Sequence, residues 1–288
     1  MHLKRQHVVS DVTGATGMAI IRAMLAGERD PVPLARLRHD RCHHDEETIA
    51  KALHGQWRDE HLFALAQAVA LYDMDHEKIV ECDRQIDAYL ETFAECQHRD
   101  ALPPVLRPRK RPRKRPQMDV RGSLHRITGV DLTAIEGIDE PTALTSLSEI
   151  GLDRGRWPTV KHCTSWLGLC PHHRVSGGKV LSRGTKPCAN RVATALRLAA
   201  SCLQRSQSAL GAFFRRMKAR LGTPKAITAT AHKLARLIDA MLKHGTAYVR
   251  QSLADDEQHY RDRTVQSLTR RAKALGYALV QTPVGTPT

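Results

Sequence analysis

Residues 192–244 read VATALRLAASCLQRSQSALGAFFRRMKARLGTPKAITATAHKLARLIDAMLKH, and their apolar residues return at helical intervals. Val192, Leu196, Leu198, Ala199 and Leu203 form one set; Leu210, Phe213, Phe214 and Met217 a second; Ile227, Leu234, Leu237, Ile238, Met241 and Leu242 a third. Steps of three and four residues place side chains on one face of a helix, so the stretch predicts successive helices whose stripes are core. Arg197, Arg205, Arg215, Arg216, Lys218, Arg220, Lys225, Lys233 and Arg236 fall between the stripes and read as solvated faces, some of them able to meet a polyanion. Only 4% of the 288 residues are aromatic, while Ala and Leu are abundant, which suits helix packing better than aromatic-rich sheets. The expected fold class is mainly α.

Charge narrows the function classes. Lys plus Arg number 45 against 30 Asp plus Glu, a formal net charge of +15, and such a balance points to nucleic acid, whose phosphates are neutralised with release of counterions. No stretch approaches the roughly 20 unbroken apolar residues that a spanning helix needs, which argues against a helical membrane protein. Seven widely spaced cysteines and no signal-peptide pattern lead to the expectation of reduced thiols in a cytoplasmic, nucleoid-associated protein. Cys163, Cys170, His172 and His173 are the one cluster with zinc-ligand chemistry, but C-x6-C-x-H-H is not a paired-ligand spacing. Helix-packing cysteines beside surface histidines are the expectation, with no metal site.

Five segments follow from the pattern. Residues 1–56 form a helical segment in which Gly14-Ala15-Thr16-Gly17 precedes the apolar run Ala19 to Leu25. That is either a helix-hairpin-helix, whose glycines let backbone N–H groups approach a phosphate, or an ordinary helix turn. In segment 57–100, Leu62, Leu65, Val69, Tyr72, Ile79, Ile86, Leu90 and Phe93 fit a heptad seam if His76 and Asp83 fill two of its positions. A self-associating coiled coil is favoured over a helix lying on its own domain, and with it a homo-oligomer through residues 62–93. The linker 101–120 carries five prolines, and seven of the nine residues from Arg107 to Arg115 are basic: Arg107, Arg109, Lys110, Arg111, Arg113, Lys114 and Arg115. Proline excludes a helix, and cations at this density repel one another unless a polyanion lies nearby, so a phosphate-tracking strap is favoured over a mere spacer.

Segment 121–250 opens with a second turn-helix unit, Leu132 to Ala143, in which Asp139 stands where a helix-hairpin-helix has its second glycine. A carboxylate there puts direct DNA contact in doubt. Further on, the apolar stretch Trp166 to Leu169 gives way to a loop with Ser176-Gly177-Gly178-Lys179 and Ser182-Arg183-Gly184. A serine before two glycines stands clear of crowding, and Arg174, Lys179, Arg183, Lys186 and Arg191 are placed to hold phosphate oxygens around it. Ser-Gly-Gly is also a common loop tripeptide, and the residues alone leave both readings open. Segment 251–288 is a last helix with Arg270, Arg271 and Lys273, then a polar tail.

Gly137-Ile138, Thr142-Ala143, Ser148-Glu149-Ile150-Gly151, Trp157-Pro158-Thr159, Leu167-Gly168-Leu169-Cys170-Pro171, Ser176-Gly177-Gly178-Lys179, Arg183-Gly184, Asn190-Arg191 and Ala231-His232-Lys233-Leu234-Ala235 stand in one order between Leu132 and Tyr248. This run resembles the C-terminal domain of the insertion-sequence transposases of family one-ten, the transposase 20 domain. The resemblance implies a helical C-terminal transposase domain in a DNA transposase or recombinase, with Ser176 as the nucleophile on a DNA phosphodiester. It implies DNA, as element ends and target, and a noncoding guide RNA as partners. The family also has an N-terminal RuvC-like domain with a DEDD carboxylate set that binds Mg2+. The start of this chain resembles the segment after that domain, so a truncated form without a cofactor of its own is expected. Asp45-Glu46-Glu47, Asp59-Glu60, Asp73 and Asp75 read as surface charge. The alternative is a non-catalytic, dimerising DNA- or RNA-binding protein derived from a transposase.

Overall fold

The computed structural model describes residues 11–40, 42–55, 57–97, 118–172, 174–182 and 184–280. Ten α-helices and one two-stranded sheet occur among them, and the chain divides into two units, Met1–Cys82 and Asp83–Thr288. The fold is mainly α.

In the first unit, α1 (Ala15–Leu25), α2 (Pro31–Arg36) and α3 (Glu46–Leu53) start on side-chain or loop caps: Asp30 accepts from the Val32 amide, and Asp45 from the Thr48 amide at 2.9 Å. Each carboxylate answers a helix N–H that has no partner within the helix. Ile20, Met24, Leu34, Ala35, Ile49 and Leu53 close a small core, with Trp57 packed at its edge under the Arg29 guanidinium. The long helix α4 (Asp59–Glu91) runs through the predicted seam, and Asp73 on it pairs with Arg22 of α1. Along that seam Leu62, Leu65, Val69 and Tyr72 are half-buried, whereas Ile79 and Ile86 are exposed. His76 and Tyr72 satisfy each other along the helix, Nε2 to OH at 2.8 Å.

The second unit begins in the last turns of α4, where Leu90 is buried and Arg126 donates to the carbonyls of Leu90 and Phe93. A cation at a helix C-terminus meets both its unpaired carbonyls and its negative end. Next come α5 (Val120–Thr128), a 3-10 turn (Leu132–Ala134), α6 (Glu140–Ile150), a second 3-10 turn (Arg154–Arg156) and α7 (Val160–Trp166). After the hairpin of β1 (Arg174–Ser176) and β2 (Lys179–Ser182) follow α8 (Arg191–Cys202), a third 3-10 turn (Leu203–Arg205), α9 (Ala209–Leu221) and α10 (Thr223–Ala274). Asn190 caps α8 by accepting from the Val192 and Ala193 amides, and Ser208 caps α9. Leu124, Ile135, Leu147, Leu167, Leu196, Leu203, Leu234 and Ile238 belong to one core that α5 to α8 share with α10.

Two expectations are corrected. Leu198 is 66% exposed, because the face of α8 that packs inward is Val192, Leu196, Ala199, Ala200 and Leu203, and a residue two places from Leu196 points away from it. The stretch around Ser176 is an antiparallel hairpin, where a loop was expected. Gly177 and Gly178, at φ 55° and 75°, take both central positions of a turn that demands left-handed backbone. Not all the cysteines pack in helices either: Cys163 is buried, but Cys82 and Cys202 are exposed.

The helix α10 is bent at Gly245, whose φ of 83° and ψ of 176° are not helical. Lys233 and Asp256 would lie about 34 Å apart along a straight helix at 1.5 Å per residue. Their Nζ and Oδ2 atoms are 2.7 Å apart, so the two limbs fold back on each other as a helical hairpin.

Candidate functional site

The hairpin that carries Ser176 is rooted in the core by the residues just before it. Leu167 and Leu169 are buried at 0% and 1%, and Gly168 between them has φ 66° with no room for a Cβ: one built there would lie 2.5 Å from Cys188 Cβ. This close approach clamps the strand leading into the hairpin against the strand leaving it. The clamp continues as a bridge between Pro171 and Thr185 and a hydrogen bond from the His172 amide to the Gly184 carbonyl at 2.7 Å. Thr164 Oγ1 and Cys170 Sγ, 3.1 Å apart, tie the same strand to α7.

From that root the hairpin projects into solvent. Ser176 ends β1 and pairs in register with Lys179, which starts β2; such partners have Cα atoms about 4.5–5.5 Å apart. Both side chains are exposed, as are Val175 and Leu181 at 58% and 70%. Among the described residues nothing hydrogen-bonds Ser176 Oγ, so the hydroxyl is open to a ligand and has no base against it. Arg174 begins β1, and the irregularity in the ladder falls between it and Val175. Lys186 is exposed on the strand leaving the hairpin. Arg191 stands at the N-terminus of α8, where its guanidinium meets Glu149 Oε1 of α6 at 2.6 Å while its side chain stays 79% exposed. Its charge is thus shared with a carboxylate at the site's edge. Arg183 and the linker residues Arg107, Arg109, Lys110, Arg111, Arg113, Lys114 and Arg115 lie outside the described residues.

The neighbouring nucleophiles and acids have other roles. Burial pushes the Cys163 thiol up to about 11, with Asp239 adding to the effect, so it stays protonated and unreactive. Asp139 accepts from the Thr142 amide at 3.1 Å as the cap of α6. Its carboxylate therefore occupies the amide end that a phosphate would need, which is the physical form of the conflict that the sequence poses at this turn. Arg121 and Asp131 brace the same turn from beneath, Nη2 to Oδ2 at 2.5 Å, with both side chains largely buried. Burial alone would raise Asp131, but the Arg121 guanidinium and Thr133 outweigh it and hold the carboxyl below the usual carboxylate range. Among the described residues no group of three or more His, Cys, Asp or Glu is placed to hold a metal ion. The Mg2+ of the resembled family therefore has no ligand set there, and no chemistry proposed below runs through it. Nor is any described helix long and apolar enough to cross a membrane.

The sequence reading missed a second feature. Back-folding of α10 sets Arg216 on α9 against Glu257 and over the Tyr260 ring at 4.0 Å, and opens a cationic cleft alongside. His232 on its wall is half-buried; burial, then Arg236, holds its imidazole below the usual range. The bend at Gly245 was the signal available, but a glycine marks a break without its direction.

A helical domain with a clamped, solvent-facing serine hairpin and a strongly basic surface has the character of a nucleic-acid-processing protein. Residues 129–215, from the end of α5 to the middle of α9, match the model of the transposase IS116/IS110/IS902 family. That span holds the Gly168 clamp, the Ser176 hairpin and the Arg191–Glu149 pair. Comparison with curated proteins and with solved structures gave no match.

Proposed function

We propose that this chain is the DNA-handling C-terminal portion of a transposase or recombinase, and that Ser176 is its nucleophile on a DNA phosphodiester. The observation that carries the reading is the family match over residues 129–215, which spans a serine exposed at the tip of a rigidly rooted hairpin. Attack forms an Oγ–P bond as the P–O bond to the leaving nucleoside oxygen breaks, and the hydroxyl proton ends on that oxygen. One phosphodiester is exchanged for another, so the bond energy is kept in a protein–DNA adduct. Lys179 beside Ser176, with Arg174, Arg183 and Lys186 on the same hairpin and its flanks, supplies positive charge for the transition state. Gly177 and Gly178 let the backbone come close to a phosphate, Arg191 reaches the DNA flank, and the Arg107 to Arg115 strap follows the backbone. Element ends and target are the DNA partners, a noncoding RNA guides the choice of target, and α4 joins copies of the chain.

The experiment is to trap covalent adduct on a labelled element-end duplex carrying a nick beside the scissile bond. Ser176→Ala abolishes the adduct and leaves binding intact; an adduct that survives the substitution removes Ser176 from the chemistry. A second reading, a dimerising DNA- or RNA-binding protein without strand transfer, draws on the lack of any base hydrogen-bonded to Ser176 among the described residues. It is the reading that stands if neither version forms an adduct while both bind.

A further inference from the structure

The cleft between α9 and the two limbs of α10 has a volume of about 660 Å³ and shares no lining residue with the Ser176 hairpin. Six cationic side chains line it against one carboxylate, Asp256. Two of the six are spoken for within the fold: Lys233 is paired with Asp256 and packed on the Phe213 ring, and Arg216 is paired with Glu257 and stacked on Tyr260. These two ties hold the limbs at their spacing. The other four, Arg220, Arg236, Arg263 and Arg271, are exposed and have no carboxylate within ion-pair distance among the described residues. Four unpaired guanidinium groups around one cleft repel one another, and nothing in the fold of this unit repays that cost.

The second limb of α10 gives a further indication. A helix that only packs against its neighbours turns an apolar stripe toward them. Here the cleft-facing stripe at intervals of three and four includes Tyr260, Arg263, Ser267 and Arg271. Arg263 and Arg271 are separated by about 12 Å along the limb at 1.5 Å per residue. That is the rise of about three to four phosphates along one strand of a duplex at 3.4 Å each. Arg220 from α9 and Arg236 from the first limb approach from the other walls.

We infer that this cleft is a second phosphodiester-binding site, which holds the sugar–phosphate backbone of a nucleic-acid strand with Arg220, Arg236, Arg263 and Arg271. It positions the strand and carries no chemistry. Guanidinium groups suit the task because each offers a planar fork of donors to phosphate oxygens. Its contribution is insensitive to base sequence and steeply dependent on salt.

The test measures, on the full chain, how anisotropy-detected binding of a labelled DNA duplex and of a labelled RNA hairpin changes with salt. In one variant Arg220→Gln, Arg263→Gln and Arg271→Gln are combined. In a control, Arg250→Gln, Arg261→Gln and Arg270→Gln remove the same charge from exposed positions that do not line the cleft. Loss of three phosphate contacts lowers the slope of log K against log salt by about 2.7, at about 0.9 per contact, and the control lowers it by less than about 1. An unchanged slope in the cleft variant, or equal falls in both, overturns the proposal. A fall with DNA alone, RNA alone or both supports it and identifies the strand held. Far-UV circular dichroism establishes that the helices persist, and the triple Arg→Lys version, which keeps the charges, recovers most of the slope. Ser176→Ala leaves the slope as it is, so failure here and failure of the serine assignment are separate results.

Discussion

The Arg121–Asp131 pair offers a measurement on the scaffold that presents the site. Asp131 is 5% exposed and Arg121 16%; the guanidinium reaches Oδ2 through both Nε, at 3.0 Å, and Nη2, at 2.5 Å, while the Thr133 amide and hydroxyl hold Oδ1 at 3.0 Å and 2.6 Å. Arg121→Leu leaves a carboxylate buried with half of its partners. Breaking a buried pair on one side costs about 3–5 kcal/mol, and because the Thr133 contacts survive, the lower end of that range, about 3 kcal/mol, is expected. For a unit of this size such a loss lowers Tm by about 6–12 °C. The assay is thermal unfolding followed by tryptophan fluorescence in a Trp57→Phe background, where Trp157 and Trp166 report the second unit alone. The double variant Arg121→Leu with Asp131→Asn is expected to recover part of the loss, since no charge is then left unpaired. The folded-state pKa of Asp131 lies below its ordinary value, so the pair's contribution is complete above about pH 4 and is lost as pH falls through the lower folded value. The gap between wild type and Arg121→Leu must therefore narrow in acid. A loss below about 1 kcal/mol at neutral pH, or a gap that is the same in acid, would refute the reasoning.

Two further outcomes follow from packing. Gly168→Ala is expected to destabilise the second unit by about 2–4 kcal/mol, from left-handed backbone strain and the contact with Cys188 Cβ. Cys188→Gly should restore part of it in a double-mutant cycle, and additive losses would show that the two strands are not clamped there. Val69→Asp on the α4 seam is expected to dissociate an oligomer in sedimentation equilibrium; a wild-type chain that is monomeric at high concentration removes the coiled coil.

What could be read from the chain depended on how far apart the cooperating residues lie. The stripes of 192–244 and the seam of α4 are local periodicities, and the helices formed where they stand, because a helix needs only neighbours three and four places away. Leu198 was misread because membership of a stripe is decided by what lies opposite, and the face of α8 that meets α10 belongs to Leu196 and Ala199. The Ser176 hairpin was legible in its residues and not in its form. Gly177-Gly178 is a turn signal, but the pairing of β1 with β2 rests on the Gly168–Cys188 clamp, which acts across twenty residues of sequence.

The cleft was the least legible, since it exists only because α10 reverses. Arg216 finds Glu257 and Lys233 finds Asp256 across separations of 41 and 23 residues, and each of those cations reads in the sequence as one more solvated charge. What marks them as different is the company they keep in space: two ion pairs fix the limbs, and the arginines left over are the ones that converge. A run of like charge in sequence, such as Arg107 to Arg115, announces a polyanion directly. A concentration of like charge assembled from three helical limbs announces it only after folding, and its unpaired members are where a strand of phosphates would be held.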